Sequence, residues 1–326
     1  MNRMPRLLIA SPHRYPDLAR LWHRFVMRDL VPAFARLHLE VEVNIFCDAN
    51  ADQFSPQLFP GVLFSDSGPG IRDFMEFYDA TLNRQCDFLL FLDADTFFLD
   101  ADWACAHFEA FNDPRVAAIS FVPRKGAPAM FALLCRAENY RALPAPVLAC
   151  RYEFPEDWPD GVNLQPGDFA ARELMKGGKM IINLSPDESS EHMANFRSTT
   201  GLRSSREHIT PAAGEQTFEQ WVAQDPSCIV AAYDNVLLGC LYESLFREPF
   251  APDPAGKPLG GSLTVADLRR VLREVRDAKQ LESLRRRFEQ SRRTILRMAA
   301  REGIELSIPS VLPNEGGTAL LGAIGP

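Results

Sequence analysis

The sequence predicts an α/β protein with a mostly parallel central sheet flanked by helices and a helical C-terminal extension. Three observations carry this. Short apolar runs alternate with helical periodicity along the first half of the chain. One run, Phe88-Leu89-Leu90-Phe91-Leu92, is apolar at every position, as a strand covered on both faces must be. Beyond residue 214 the strand-like runs give way to helical stripes.

Taken in order, Arg6 to Ala10 reads as a buried strand closed by the Ser11-Pro12 break. Residues 17–38 place Leu18, Leu21, Trp22, Phe25, Val26 and Leu30 at helical spacing, with Pro32 as a kink or boundary. Val41 to Phe46 alternates as a second strand and runs into a polar loop at Cys47-Asp48. Val62-Leu63-Phe64 is a third strand, followed by a Gly/Pro loop and an amphipathic helix over 71–85. After the central strand come a strand at Val116–Val122, a proline-rich irregular segment over 123–166, a helix over 168–176 closed by Gly177-Gly178, and a strand from Lys179 to Leu184. Helices are expected over 216–223 and 229–247, then a Pro/Gly linker at 249–261 and one long helix from Thr264. These boundaries suggest a domain over 1–250, a helical extension over 262–306 and a flexible tail over 307–326.

The net charge of −8 argues against a broad nucleic-acid-binding face. Seven scattered cysteines without a C-x-x-C spacing fit reduced thiols and a cytoplasmic location. No apolar run approaches the roughly 20 residues of a membrane span.

Asp93-Ala94-Asp95 follows the central strand directly. In open α/β sheets, ligands bind beyond the carboxyl ends of the strands. Two carboxylates held together there repel unless a cation lies between them. A hard divalent ion, Mg²⁺ or Mn²⁺, sharing its coordination with phosphate oxygens, answers that requirement.

With this motif the chain resembles inverting glycosyltransferases of the GT-A fold, and is family-2-like, over roughly residues 5–200. The resemblance implies a nucleoside-diphosphate sugar donor, a UDP-sugar by expectation, and an acceptor that the sequence does not name. It matches Asp48 to the acid that binds the base, Asp66 and Arg72 (in Asp66-Ser67-Gly68 and Ile71-Arg72-Asp73) to donor contacts, and Asp93 to ribose and metal. Asp95 and His192 would hold the metal, and Asp168 would be the general base that deprotonates the acceptor. The family's Glu-Asp pair is Gly167-Asp168 here, and the 68–72 loop is one residue shorter than the family pattern.

Tyr152, Trp158 and Trp103 are candidate stacking surfaces for sugar or acceptor, and the 123–166 segment is the expected acceptor region. The basic residues of the last helix, among them Arg285, Arg286, Arg292 and Arg293, suit a solvated face, a dimer contact or peripheral contact with an anionic membrane. Two other readings use the same residues. Leu92-Asp93-Ala94-Asp95-Thr96 also resembles the D-x-D-x-T of haloacid-dehalogenase-like phosphatases, with Asp93 as nucleophile, and a catalytically silent nucleotide-sugar-binding protein would keep the same acids.

Overall fold

A computed structural model describes residues 3–13, 15–47, 54–66, 81–124, 127–128, 131–143, 167–197, 227–250, 264–275, 277–308 and 311. Two compact units divide after Asn195. The first, Met1–Asn195, is a mixed α/β unit around a seven-stranded sheet. Its strands are β1 (Arg6–His13), β2 (Glu40–Cys47), β3 (Val62–Asp66), β4 (Phe88–Leu92), β6 (Val116–Ser120), β9 (Ala132–Arg136) and β10 (Met180–Asn183). They lie in the order β10-β6-β9-β4-β1-β2-β3, and only β9 runs antiparallel to its neighbours. Every strand but β9 therefore ends on one edge of the sheet.

The expectation for β4 holds in detail, because all five of its residues are buried. Leu89 and Phe91 face a cluster with Leu8, Ala10, Phe46, Leu133, Cys135 and Tyr140. On the opposite face, the Phe88 ring meets Phe108 and Phe111 edge-on or tilted, at 4.7 and 5.2 Å. Strand β2 is not the alternating strand that its sequence suggests, since its last five residues are all buried.

Strand β1 continues through Pro12 to His13 instead of stopping at Ala10. Its pairing with β4 ends at Ala10 and Phe91, whereas its pairing with β2 runs on to His13 and Cys47. The last three residues thus have one neighbour only, and a proline is tolerated in such an edge-like position. Pro32 is accommodated in a comparable way. Helix α1 (Pro16–Phe25) passes through a π-type turn, Val26–Leu30, into α2 (Val31–Ala35), so the helical run bends its hydrogen-bonding pattern just before the proline.

Several elements were not expected from the sequence, among them one strand of the main sheet and two short helices. Strand β9 lies in the segment read as irregular; α3 (Ala101–Ala106) and α4 (Ala137–Arg141) are each less than two turns. Helix α5 (Asp168–Lys176) is where the sequence puts it, packing Ala170 and Leu174 onto the sheet. Of the helix expected over 71–85, residues 71–80 lie outside the described residues, as does the helix over 216–223.

The second unit, Phe196–Pro326, holds α7 (Ser227–Phe246), α8 (Val265–Leu272) and α9 (Ala278–Arg301). Helix α7 therefore groups with the C-terminal helices, whereas the sequence put the boundary near 250. The single long helix expected from Thr264 is two. Thr264 and Asp267 form a reciprocal cap at the start of α8, and Asp277 caps α9 by accepting from the Gln280 N–H at 2.9 Å. By length and composition alone α7 would suffice to cross a bilayer, but most of it is buried within the protein. At its middle, fully buried Asp234 accepts from the Arg197 N–H at 2.7 Å and lies 3.7 Å from the Arg287 guanidinium of α9. Nearly all of the tail over 307–326 lies outside the described residues.

Candidate functional site

The carboxyl edge of the sheet carries the candidate site. Beyond β4 the chain makes a tight turn in which the Thr96 N–H donates to the Asp93 carbonyl at 3.0 Å. The Asp93 N–H donates to the Phe131 carbonyl at 3.0 Å, which pins the turn to the segment entering β9. Asp93, Ala94 and Asp95 are all half-buried there. Thr96 then opens β5 (Thr96–Phe98), which pairs antiparallel with β11 (Met193–Asn195) in a short two-stranded ribbon. The Asn195 side-chain amide donates to Thr96 Oγ1 at 2.7 Å, beside Asp95.

Asp168 is the first residue of α5 and is buried. Gly167 before it has φ +87°, a left-handed backbone that glycine adopts at no steric cost, so the chain enters the helix sharply. The far end of α5 leads through Lys179, whose N–H donates to the Leu174 carbonyl, into the start of β10. The N-terminal end of α5 must therefore lie toward the carboxyl edge of the sheet, the edge that carries Asp93 and Asp95. Asp66 ends β3 in register with Cys47, on that same edge. Asp48 and Arg72 lie outside the described residues, as do Tyr152 and Trp158.

His192 is brought together with other groups. It ends α6 (Pro186–His192) and stands at the end of the ribbon away from Asp95. The register pairs Asn195 with Thr96 and Met193 with Phe98, so the ladder separates His192 from Asp95 by on the order of 10 Å. Its Nδ1 lies 3.1 Å from Asp100 Oδ2, and its ring stacks on Trp103 at 4.8 Å and 12°. Trp103 is likewise engaged and is no open stacking surface: its indole N–H donates to Glu188 Oε1 at 3.0 Å, and His107 meets it edge-on at 5.0 Å. Among the described residues, no three His, Cys, Asp or Glu side chains gather as a metal shell. The sequence could not reveal this, because a three-residue strand and a seven-residue helix leave no periodic signal.

A second polar group went unnoticed in the sequence. Ser11 and His13, both on the last turn-ward residues of β1, are buried, with Ser11 Oγ and His13 Nε2 2.9 Å apart. His13 also meets the Trp22 ring edge-on at 4.9 Å, and neither its Nδ1 nor the Trp22 indole N–H has a hydrogen-bond partner. Burial away from water disfavours the imidazolium and lowers the His13 pKa from 6.5 to about 3. The folded state thus binds fewer protons than the unfolded state between those two values. Stability is full above pH 6.5 and is lost as pH falls toward 3, by about 2 kcal/mol at pH 5. In urea titrations at pH 7.5 and 5, His13→Gln should show a smaller acid-induced loss than the parent chain. An equal loss in both would remove His13 as the cause.

No family model matches the chain, and no curated protein does. Solved structures that match the chain include the mannosyltransferase PcManGT from Pyrobaculum calidifontis in complex with GDP-Man and Mn²⁺. It is 14% identical, with a TM-score of 0.42, covering 93% of this chain and 77% of that one. A nucleotide-diphospho-sugar transferase from Desulfovibrio desulfuricans G20, so described provisionally, is 17% identical with a TM-score of 0.32, covering 56% and 80%. TarS residues 1–349 from S. aureus are 12% identical with a TM-score of 0.35, covering 93% of both chains. The fold is a mixed α/β one with a seven-stranded, mostly parallel central sheet. At these identities a shared chemistry does not follow, and the chain's own residues have to carry any functional reading.

Those residues fit a divalent ion in part. Two half-buried carboxylates on one tight turn offer hard oxygen ligands and leave most of an octahedral shell to phosphate oxygens and water, the arrangement Mg²⁺ and Mn²⁺ accept. Among the described residues, no histidine gathers with these two carboxylates as a three-residue metal shell.

Proposed function

We propose that the chain is a glycosyltransferase that moves a sugar from a nucleoside-diphosphate sugar, a UDP-sugar by preference, to an acceptor nucleophile with inversion. The observation that carries this reading is the Asp93–Thr96 turn at the carboxyl end of the buried central strand, with the buried Asp168 helix entering on the same edge. Asp93 and Asp95 would hold Mn²⁺ or Mg²⁺, with Asp93 also toward the ribose, and Asp48, Asp66 and Arg72 would complete the donor contacts. A bound divalent cation neutralises charge on the departing diphosphate. Asp168 would accept the proton of the attacking acceptor, and burial at a helix N-terminus fixes its direction. Acceptor contacts would come from the 123–166 segment.

The test is the fate of the donor. Incubation with UDP-sugars, Mn²⁺ and a broad acceptor panel should release UDP in amounts matched by glycosylated product. Release of inorganic phosphate from simple monoesters would instead identify a phosphatase with Asp93 as nucleophile. Donor binding without any turnover would identify a silent binding protein.

A further inference from the structure

We infer that His192 anchors the β5–β11 ribbon from its far end and so positions the Asp93–Asp95 turn, and that it is not a metal ligand. The inference rests on the proposed function in one respect only, that this turn is the metal site. A ribbon of three residue pairs is too short to hold itself in water. Here it is pinned at both ends. At the end next to Asp95, Asn195 donates to Thr96. At the other end the His192 carbonyl accepts the N–H groups of Leu99 at 2.7 Å and Asp100 at 3.2 Å.

The side chains beyond that end lock it to two helices. Asp100 uses Oδ1 to cap α3, accepting from the Trp103 N–H at 3.0 Å, and Oδ2 to hold His192. Trp103 stacks on the imidazole and donates to Glu188, which lies one helical turn before His192 and 3.4 Å from His107. Five side chains therefore fasten α3 and α6 to the end of the ribbon. A carboxylate-bonded histidine is also how metal ligands are oriented, so the His192–Asp100 pair alone does not decide the role. Position does: the His192 carbonyl is bonded to Leu99 and Asp100, four and five residues beyond Asp95, and Asp93, Asp95 and His192 do not gather as a metal shell among the described residues.

The test compares His192→Asn, Asp100→Ala, Trp103→Leu and Asp95→Asn in the full chain. Two quantities are read: amide hydrogen exchange over residues 96–98 and 193–195, and Mn²⁺ affinity in the presence of UDP, followed by electron paramagnetic resonance. His192→Asn keeps an N–H donor for Asp100 and should stay within about twofold of the parent in Mn²⁺ affinity. Trp103→Leu and Asp100→Ala change no proposed ligand, yet should speed exchange across the ribbon and weaken Mn²⁺ roughly tenfold. Asp100→Ala, at a half-exposed position, serves if Trp103→Leu does not fold. A roughly tenfold loss in His192→Asn with unchanged exchange would make His192 a ligand and overturn the inference. Unchanged exchange in both Asp100→Ala and Trp103→Leu would overturn it as well. If Asp95→Asn keeps full Mn²⁺ affinity, the failure belongs to the metal-site reading, and the exchange data still decide the anchor.

Discussion

Asp95→Asn is expected to lower kcat/KM for donor turnover by a factor on the order of 100 or more while leaving the fold intact. The two carboxylates belong to one tight turn at the carboxyl end of the buried strand β4. Asparagine keeps the size and polarity of the side chain but removes half of the negative charge available to a cation. Charge stabilisation on a leaving diphosphate is worth several kcal/mol, so its loss falls on the transition state more than on the resting complex. The turn itself is held by backbone bonds, Thr96 to Asp93 and Asp93 to Phe131, which the substitution does not touch. Thermal stability without ligand should therefore shift by no more than about 1 kcal/mol, the ordinary range for a partly exposed site. Raising Mn²⁺ should recover part of the activity if the loss is one of metal affinity. A variant with parent-like kcat/KM would exclude Asp95 from the chemistry.

Asp168→Asn should separate chemistry from binding. Removing a general base typically costs 100- to 10,000-fold, so kcat should fall by roughly that range with donor affinity close to that of the parent. Asparagine is tolerated at helix starts nearly as well as aspartate, so α5 should keep its place under Gly167. This is the feature that distinguishes a base from a helix-terminal residue: a purely structural Asp168 would lose stability and affinity together, with kcat per folded molecule unchanged. Single-turnover rates alongside donor titrations provide the comparison.

The parts of this molecule legible in the sequence are those with a strong local signal. Five apolar residues in a row made β4 a central strand, and two acids directly after it marked the site edge. Helix α5 announced itself by its apolar spacing and by the glycine pair that closes it. Where the outcome depended on tertiary neighbours, the sequence was silent or misleading. Nothing local to Ala132–Arg136 says that it inserts antiparallel between β4 and β6, because that place is set by pairing on both sides. Pro12 reads as a strand end, since sequence does not show that the pairing of β1 with β4 ends at Ala10 while its pairing with β2 runs on to His13. The ion pair between Asp234 and Arg287 gathers two residues 53 positions apart, and the apparent single helix from Thr264 concealed the Asp277 cap within a continuous apolar stripe. His192 shows the same limit at the site: its place in the motif order says nothing of its partners Asp100 and Trp103, which a three-residue ribbon and a short helix bring to it.

The central claim is that Asp93 and Asp95 bind a nucleoside diphosphate through a shared divalent cation. Thermal unfolding of the full chain with UDP, GDP, ADP or CDP, each with Mn²⁺ or with EDTA, tests it most directly. One nucleotide should stabilise the chain by about 2.7 kcal/mol at 100 times its Kd, only when Mn²⁺ is present, and not in Asp95→Asn. A stabilisation that persists in EDTA, or is equally large in Asp95→Asn, would contradict the claim.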